Sequence, residues 1–540
     1  MPTSNWKDIL RHPLFAGLLL SLPIVFLLPP IPIDETRYLA VAWEMHLGGN
    51  FLVPHLNGAW YADKPPLLFW LINLGWAVTG VHAWTARLMT LLCSGASVLL
   101  LRGLCLRLGE STVAGRQAMW LLSGTIYFAI FANAIMFDVL LATCVLLALH
   151  GVLDLEAGRS ARGVLVTGVA IGLGILAKGP VMLLDFGFAA LGAFWWSDRL
   201  AGRRWRYAGA LASAVALGIA LALLWAIPAA LLGGDDYARA IFLHQTLDRV
   251  AESFAHRRPF WWYLMLLPLM LLPWPLVVRA RVASARALVR VRCVRFALAW
   301  VLPTFIVFCL ISGKQPHYLL PLLPGVALML AVAFDRGALY FRPALFALAM
   351  FVLGVALAMA LHLVPDRGGW SSLSDVWPLW GVLIAALAVA MWLLRRSCGP
   401  ALPALGMLAL VLVCKLAFVQ AADDHYDMRP AGAMVKTIQD RGQPLVHIGW
   451  HHGVYEFAGR LTQPLPTIHL DQFGAWARAH PDGLVMSFGS RFRFAAHPVF
   501  EQQFRSTRVA IWKARDALVS GLAPRDAAAE DNSDLLPSDD

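Results

Sequence analysis

Three observations predict that this chain is an α-helical polytopic membrane protein with a small C-terminal α/β domain. Hydrophobic residues make up 59% of the sequence and charged residues only 14%, whereas soluble proteins carry about 25% charged residues. Apolar runs near the ~20 residues that cross a bilayer recur from residue 9 to about residue 420. After about residue 422 the hydropathy falls and a soluble pattern begins.

These patterns predict three regions along the chain. We expect a transmembrane domain over residues 1–421 and a soluble α/β domain over residues 422–522. Residues 523–540 are acidic and poor in apolar side chains, so we expect a disordered tail there. Within the soluble domain, residues 429–440 have the pattern of a helix. Short β-like runs follow at 444–450, 466–470, 484–488 and 509–512.

The apolar runs give about thirteen candidate transmembrane helices under the ~20-residue criterion. The first, over residues 9–30, follows Lys7 and Arg11 as a signal peptide does, but no small-residue cleavage site follows, so we expect it to be retained. With a cytoplasmic N-terminus, each alternate loop is rich in arginine, as the positive-inside rule requires. Membrane topology, rather than nucleic-acid binding, therefore accounts for the net charge of +11.

The remaining loops, which this orientation places in the periplasm together with the C-terminal domain, hold mixed acidic, basic and aromatic residues. The first loop has two such clusters about 26 residues apart, namely Asp34, Arg37 and Tyr38, and then Tyr61, Asp63 and Lys64. Residues 38–47 between them have a helical pattern that suits the membrane interface. A purely structural interpretation remains open, in which Asp34 caps a helix and the cations snorkel to phosphates.

Later loops on the same predicted face add further candidates. Asp138 lies at the start of a candidate span, where a carboxylate is costly unless it has a function or a partner. Helix capping is the alternative for Asp138, and Lys178 could simply mark a turn between two apolar runs. His244 and Arg249 occur in a fourth loop, and residues 312–318 add a further cation and phenol.

Four of these cations fit an anionic, lipid-embedded ligand at headgroup depth, namely Arg37, Lys64, Arg249 and Lys314. No Walker A sequence occurs, and no Gly-x-Gly-x-x-Gly follows a strand, so we expect no nucleotide cofactor. Because the periplasm lacks nucleotide sugars, a sugar transferase there needs a lipid-linked donor.

At these residues the sequence resembles the polyprenyl-phosphate-sugar-dependent GT-C glycosyltransferases, in particular the lipid A 4-amino-4-deoxy-L-arabinose transferases, relatives of protein O-mannosyltransferases. The resemblance spans the membrane domain, and its matching stretches are residues 34–38, 61–67, 137–138, 178–179, 244–249, 259–263 and 313–321. It implies a cavity that opens to lipid and periplasm, where the enzyme takes a sugar from undecaprenyl phosphate.

The resemblance also implies roles for individual residues. Asp34 would be the principal catalytic carboxylate and Asp138 a second one. The donor phosphate would be held by side chains that line the site, namely Arg37, Tyr38, Tyr61, Lys64, Arg249 and Tyr318. In some relatives a carboxylate and a histidine hold a divalent metal such as zinc, which maps to Asp63 and His244. The family usually has Glu at the first of these positions, and Asp is one methylene shorter.

The sequence leaves the sugar and the acceptor open. Lipid A phosphate is the expected acceptor and aminoarabinose the expected sugar, with protein O-mannosyl transfer or transfer of another sugar, such as a hexuronic acid, as alternatives. From a different class, a transporter or flippase of anionic lipids would place ionisable groups near the bilayer midplane and often has an internal repeat, and neither is found. A non-catalytic scaffold would leave the acid-plus-base clusters unexplained. We expect a monomer in the bacterial inner membrane, in contact with membrane lipids.

Overall fold

The computed structural model of the chain describes residues 12–242, 257–281, 287–359, 376–396, 399–488, 493–504 and 507–522, with only the backbone for 422–424. Two of the predicted site residues, His244 and Arg249, lie outside these ranges, as does the predicted acidic tail. The chain divides into two compact units. The first comprises Met1–Phe26, Ala62–Gly354 and Val382–Cys414, and the second comprises Leu27–Tyr61, Val355–Gly381 and Lys415–Asp540.

Most described residues are helical, and the predicted class of polytopic α-helical membrane protein is confirmed. Among the described helices, seven are long and apolar enough to cross a membrane: Ala83–Arg107, Phe137–Glu156, Ser160–Lys178, Arg204–Phe242, Arg292–Leu310, Pro316–Asp335 and Ala401–Ala421. Five shorter apolar helices are Pro13–Leu27, Leu67–Thr79, Val181–Trp196, Ala344–Met359 and Pro378–Leu393. The number of about thirteen spans stays a prediction.

Shorter elements connect these helices. Further helices are Asp34–Gly48, Thr112–Ser123, Ile126–Phe131, Trp262–Met270 and Trp274–Val277. Two antiparallel strand pairs lie in loops, namely His55–Leu56 with Ala59–Trp60 and Val278–Ala280 with Leu339–Phe341. The sequence predicts a helix over residues 38–47, and the structure extends it to Asp34–Gly48, so that Asp34 lies in its first turn. We call this element the loop helix.

Within the first unit, Phe137–Glu156 is the most deeply buried of the seven long helices. Small residues let its neighbours approach closely, as is common between membrane helices. A Cβ on Gly151 would lie 2.2 Å from Oγ1 of Thr167, and a Cβ on Gly163 would lie 2.5 Å from Cδ2 of Leu155. This buried helix carries Asp138 in its first turn and Glu156 at its last residue.

The C-terminal part of the second unit contains a five-stranded mixed sheet. Its strand order is Thr467–Ile468, Leu445–Ile448, Leu484–Phe488, Thr507–Lys513 and Phe500–Phe504. The first three strands are parallel, and the last two are antiparallel to their neighbours. The predicted helix is present as Arg429–Asp440. The sequence pattern did not predict the strand Phe500–Phe504, whose sequence FEQQF is largely polar, nor the helices Phe473–Ala479 and Ala514–Ser520.

Apolar side chains alternate between the two faces of this sheet, as the two-residue period of a strand requires. On one face, Leu484, Met486, Val509 and Ile511 pack with the helix Arg429–Asp440. On the other face a second core contains side chains from strands and from the helices Phe473–Ala479 and Ala514–Ser520, including Val446, Val485, Trp512, Phe473 and Ala517. The C-terminal region is therefore a three-layer α/β/α sandwich.

Candidate active site

The first turns of the loop helix bring Asp34, Arg37 and Tyr38 together on one face. The spacings of three and four residues place these side chains side by side. Arg37 donates a hydrogen bond of 2.6 Å to Oδ1 of Asp34, and the hydroxyl of Tyr38 donates one of 3.3 Å to the same oxygen. The Asp34 side chain stays 44% exposed. A cation and a phenol thus orient an accessible carboxylate, which the positive end of the helix dipole also favours.

The C-terminal residues of the same unit hold the loop helix in place. The indole N–H of Trp43 donates a hydrogen bond of 2.8 Å to the carbonyl of Leu461. After the helix, the amide of Asn57 bonds twice to the backbone of Leu465, accepting at 2.7 Å and donating at 2.9 Å. These contacts join parts of the chain that are about 400 residues apart in sequence. The position of Asp34 therefore depends on the sandwich as well as on the first loop.

Gly453 of the sandwich packs against the loop helix. It adopts a φ of +75°, and a Cβ there would lie 3.1 Å from Cβ of Ala40 and 3.5 Å from Cα of Arg37. Glycine is the residue that takes this left-handed conformation at least cost. A side chain at position 453 would press on the helix turn that carries Arg37.

Behind Gly453 lies a fully buried polar cluster of His447, His451, Tyr455 and Glu456. The ring centroids of His447 and His451 are 5.2 Å apart, and Nδ1 of His451 lies 3.3 Å from Oε1 of Glu456. Burial lowers the pKa of His447 to about 4 and that of His451 well below its usual value, and it raises the pKa of Glu456 to about 8. At neutral pH these groups are therefore uncharged, which suits their environment.

The first unit contains a second cluster of candidate residues. Lys178, the last residue of its helix, forms a buried ion pair with Asp138. Its ammonium also lies 4.4 Å from the ring centroid of Tyr318, and Nε2 of His317 lies 4.0 Å from Oδ2 of Asp138. Asp138, in the first turn of its helix, thus has a cationic partner.

Asp185 is a member of this neighbourhood that the sequence interpretation missed. It is fully buried within Val181–Trp196, and within the described part of the chain neither of its carboxylate oxygens has a hydrogen-bond partner. The charges of Lys178 and Asp138 act on it. Asp185 therefore belongs to the same electrostatic neighbourhood as the Lys178–Asp138 ion pair. A single acidic residue in the apolar run VMLLDFGFAA was the signal that could have found it.

The other predicted residues have different environments. Tyr61 is buried in the second unit, whereas Asp63 is exposed and Lys64 half-buried in the first. Lys314 is buried, and its ammonium donates to the carbonyls of Ile311 and, at 3.0 Å, of Arg258. Burial lowers the pKa of Lys314. In this structure Lys314 ties its loop to the backbone near residue 258, so binding a phosphate would require it to exchange these partners.

A metal ion was predicted at Asp63 and His244. Asp63 offers an exposed carboxylate, which suits a divalent cation. Among the described residues no group of three His, Cys, Asp or Glu side chains is arranged to hold a metal. Because His244 lies outside those residues, the metal site stays a prediction.

Known proteins resemble the chain in fold. The crystal structure of ArnT from Cupriavidus metallidurans in the apo state matches with a TM-score of 0.71 at 18% identity, covering 93% of this chain and 98% of that one. The same protein bound to undecaprenyl phosphate matches with a TM-score of 0.68 at 19% identity, over 94% and 98% of the two chains. These matches confirm the predicted GT-C type of fold.

The sequence comparisons point to the same family. A family model described as dolichyl-phosphate-mannose-protein mannosyltransferase matches residues 63–246. An undecaprenyl phosphate-alpha-4-amino-4-deoxy-L-arabinose arabinosyl transferase from Pseudomonas fluorescens is 34% identical over 331 residues, which is 59% of this chain and 56% of that protein. The match therefore spans little more than half of that relative's length.

A longer match comes from the enzyme of the same name in Sodalis glossinidius. It is 30% identical over 393 residues, which is 68% of this chain and 67% of that protein. The predicted resemblance is thereby confirmed. The chain belongs to the family of undecaprenyl phosphate-α-4-amino-4-deoxy-L-arabinose arabinosyl transferases.

Proposed function

We propose that the protein transfers 4-amino-4-deoxy-L-arabinose from undecaprenyl phosphate to a phosphate of lipid A. The observation that carries this proposal is the accessible carboxylate of Asp34, held by Arg37 and Tyr38 in a member of this family. Relatives at 33–34% identity are named for this donor. A structure of the same fold has been solved with undecaprenyl phosphate.

The transfer breaks the bond between C1 of the sugar and the phosphate oxygen of the donor, and it forms a bond from C1 to an acceptor oxygen. Negative charge grows on the departing undecaprenyl phosphate during this step. Fixed cations that approach this phosphate would stabilise the transition state more than the ground state. Arg37, Lys64 and Arg249 are the cations that we assign to the phosphate, with Tyr38, Tyr61 and Tyr318 as hydrogen-bond donors.

The role of Asp34 depends on the acceptor. A hydroxyl acceptor must lose a proton as it attacks C1, and the Asp34 carboxylate can accept that proton as a general base. A lipid A phosphate is already anionic and needs no base. In that case Asp34 pairs with the ammonium group of the aminoarabinose and orients the sugar, a role that its accessible position allows.

Asp138 is the second carboxylate that we assign to the site. Its ion pair with Lys178, on the face of the Tyr318 ring, fixes both side chains within a buried environment. A charge held in this way needs no reorganisation when substrate charge develops. A divalent ion held by Asp63 and His244 would add a Lewis acid near the phosphate, and no step proposed for these residues depends on it.

The setting of the reaction is also part of the proposal. The arginine-rich alternate loops support a cytoplasmic N-terminus, with the loop helix and the C-terminal sandwich in the periplasm of the bacterial inner membrane. Both the donor and lipid A are anionic lipids, which a membrane-embedded enzyme meets at headgroup depth. We expect the enzyme to act as a monomer.

The family-model match favours one second candidate, transfer of mannose from a polyprenyl phosphate to a protein hydroxyl. One experiment separates the two. Purified protein in proteoliposomes is offered undecaprenyl-phosphate aminoarabinose or undecaprenyl-phosphate mannose, each with lipid A and with a serine- and threonine-containing peptide. Mass spectrometry should find one aminopentose added to lipid A and no change in the peptide. Mannosylated peptide with unmodified lipid A would establish the second candidate instead.

A further inference from the structure

The Glu156 end of the helix Phe137–Glu156 carries an arginine-rich network that the proposed transfer does not use. Two buried carboxylates, Asp154 and Glu156, anchor it. Asp154 accepts from Arg107 at 2.5 Å, and it lies 2.7 Å from Arg159 and 3.3 Å from Arg162. The buried carboxylate of Asp154 thus forms ion pairs with three guanidinium groups.

Glu156 pairs with a second set of arginines. Its carboxylate lies 2.9 Å from Arg292 and 3.7 Å from Arg199, and it accepts a hydrogen bond from Ser197. The guanidinium of Arg203 donates a hydrogen bond of 2.9 Å to the carbonyl of Arg199, which extends the network. Each of these six arginines has a partner before any ligand arrives, which lowers the entropy cost of ordering its side chain on binding.

Positive charge is in large excess here. The described residues of this region include three carboxylates, Asp154, Glu156 and Asp198, against nine arginines: Arg107, Arg159, Arg162, Arg199, Arg203, Arg204, Arg206, Arg292 and Arg295. The internal ion pairs therefore leave an excess of six positive charges. Such an excess attracts anions.

A small cavity of about 50 Å³, partly open to solvent, lies within this region. The cations that line it are Arg203 and Arg206, and Ser160 adds a hydroxyl. Gly158 also lines the cavity. It has a φ of +83°, and a Cβ at this position would lie 2.7 Å from Nη1 of Arg203. The hydroxyl of Tyr207, another lining residue, is occupied by a hydrogen bond to the carbonyl of Ala190. The buried carboxylate of Glu156, which is paired with Arg292, also lines the cavity, together with Leu155 and Leu200, so its charged groups are two guanidinium groups and one paired carboxylate.

The position of the cavity fits a lipid headgroup. From Asp138 to Glu156 the helix rises about 27 Å, close to the ~30 Å thickness of the hydrocarbon core. The network therefore lies at the headgroup layer opposite to Asp138. Trp205, between the basic residues at 204 and 206, is 90% exposed, and Trp195 is 49% exposed. Exposed tryptophan is typical of the membrane interface.

We propose that this arginine cavity binds the phosphate of an anionic phospholipid. Guanidinium groups bind phosphate oxygens in a bidentate manner, and two of them line the cavity. The exposed tryptophans give the acyl chains and glycerol an apolar surface beside it. This lipid site lies at the opposite membrane face from Asp138 and does not depend on the proposed transfer chemistry.

Native mass spectrometry of the detergent-solubilised full chain tests this site, with dioleoylphosphatidylglycerol and dioleoylphosphatidylcholine as probes. We expect the first phosphatidylglycerol to bind more tightly than phosphatidylcholine. An arginine near an anionic headgroup contributes about fivefold in affinity, so Arg203→Gln with Arg206→Gln should weaken the first binding step by about 30-fold. Both residues lie at the protein surface, and an unchanged thermal unfolding midpoint verifies that the variant is folded.

Arg281→Gln with Arg342→Gln is the matched control. It removes the same charge from two exposed arginines that each lie 5.6 Å from the Tyr340 ring, on the same predicted membrane face but away from the cavity. We expect it to weaken the first step by less than threefold. Equal weakening by both variants, equal affinity for the two lipids, or displacement of the lipid by millimolar inorganic phosphate would overturn the proposal.

Discussion

Replacing Lys178 with methionine should destabilise the protein more than replacing Asp138 with asparagine, although each change breaks the same ion pair. The pair is buried, with the side chains of Lys178 and Asp138 only 10% and 2% exposed. Breaking a buried ion pair by removing one partner costs about 3–5 kcal/mol, because a charge is left without compensation. The two variants differ in which groups remain to stabilise the charge that has lost its partner.

Without Lys178, the buried Asp138 carboxylate loses its ion-pair partner, and it stays in an environment that also holds the buried Asp185. The contact with the Tyr318 ring, worth about 1 kcal/mol or more, is lost as well. We therefore expect Lys178→Met to cost about 4–5 kcal/mol. Without the Asp138 charge, Lys178 retains the Tyr318 ring and the negative end of its own helix, so Asp138→Asn should cost only about 1–2 kcal/mol, similar to a lost hydrogen bond to a charged group.

The free energy of unfolding of each variant can be measured by titrating dodecyl sulfate into mixed micelles and following tryptophan fluorescence. The double variant should recover roughly half of the loss caused by Lys178→Met, because the buried Asp138 charge that this change leaves unpaired is gone. Lys436→Met, which removes an exposed lysine paired with Asp440, is the control and should cost less than about 0.5 kcal/mol. Equal costs for the two single variants, or a larger cost for Asp138→Asn, would refute the reasoning.

Two further predictions concern the second unit. Burial raises the pKa of Glu456 to about 8, whereas the ordinary value for this group is 4.5. Between these two pH values the folded state keeps a proton that the unfolded state has released, so the free energy of unfolding falls as the pH rises. Between pH 6 and pH 9 this free energy should fall by about 3 kcal/mol. Hydrogen exchange of residues 445–460 should show this loss in the wild type and less than about 1 kcal/mol in Glu456→Gln, and an equal pH dependence in both would contradict the assignment. Asn57→Ala removes both bonds to Leu465 and should lower kcat about tenfold with KM nearly unchanged, because the position of Asp34 changes while its chemistry does not. In Asn57→Asp the acceptor of the Leu465 N–H remains, so kcat should partly recover, and a loss in KM alone would show that Asn57 instead contacts substrate.

Local patterns predicted much of this fold. Hydropathy indicated the membrane helices, and the amphipathic pattern of residues 429–440 matched the helix Arg429–Asp440 at both ends. The polar strand Phe500–Phe504 was not predicted because it contributes few core residues, and most of the core residues of this strand pair come from Thr507–Lys513. Strand pairing is a property of two segments, so one segment's composition need not reveal it.

The sequence predicted which site residues lie together only where those residues are close along the chain. Asp34, Arg37 and Tyr38 are neighbours along one helix, so their spacing sufficed to group them. The pairing of Asp138 with Lys178 joins residues 40 positions apart. The support that Leu465 gives Asn57 joins residues 408 positions apart. Contacts between residues so far apart depend on the tertiary fold, and the local periodicity of the sequence does not indicate them.

The most direct measurement is the rate of aminoarabinose transfer from undecaprenyl phosphate to lipid A in proteoliposomes that contain Asp34→Asn. Asparagine keeps the size of the side chain but removes the charge that Arg37 and a sugar ammonium bind. Asp471→Asn, at an exposed carboxylate of the sandwich, is the matched control. We expect Asp34→Asn to lose at least about 100-fold in kcat, about 2.7 kcal/mol of transition-state stabilisation, while Asp471→Asn transfers at the wild-type rate. Wild-type transfer by a folded Asp34→Asn protein would contradict the assignment of Asp34 as the principal catalytic carboxylate.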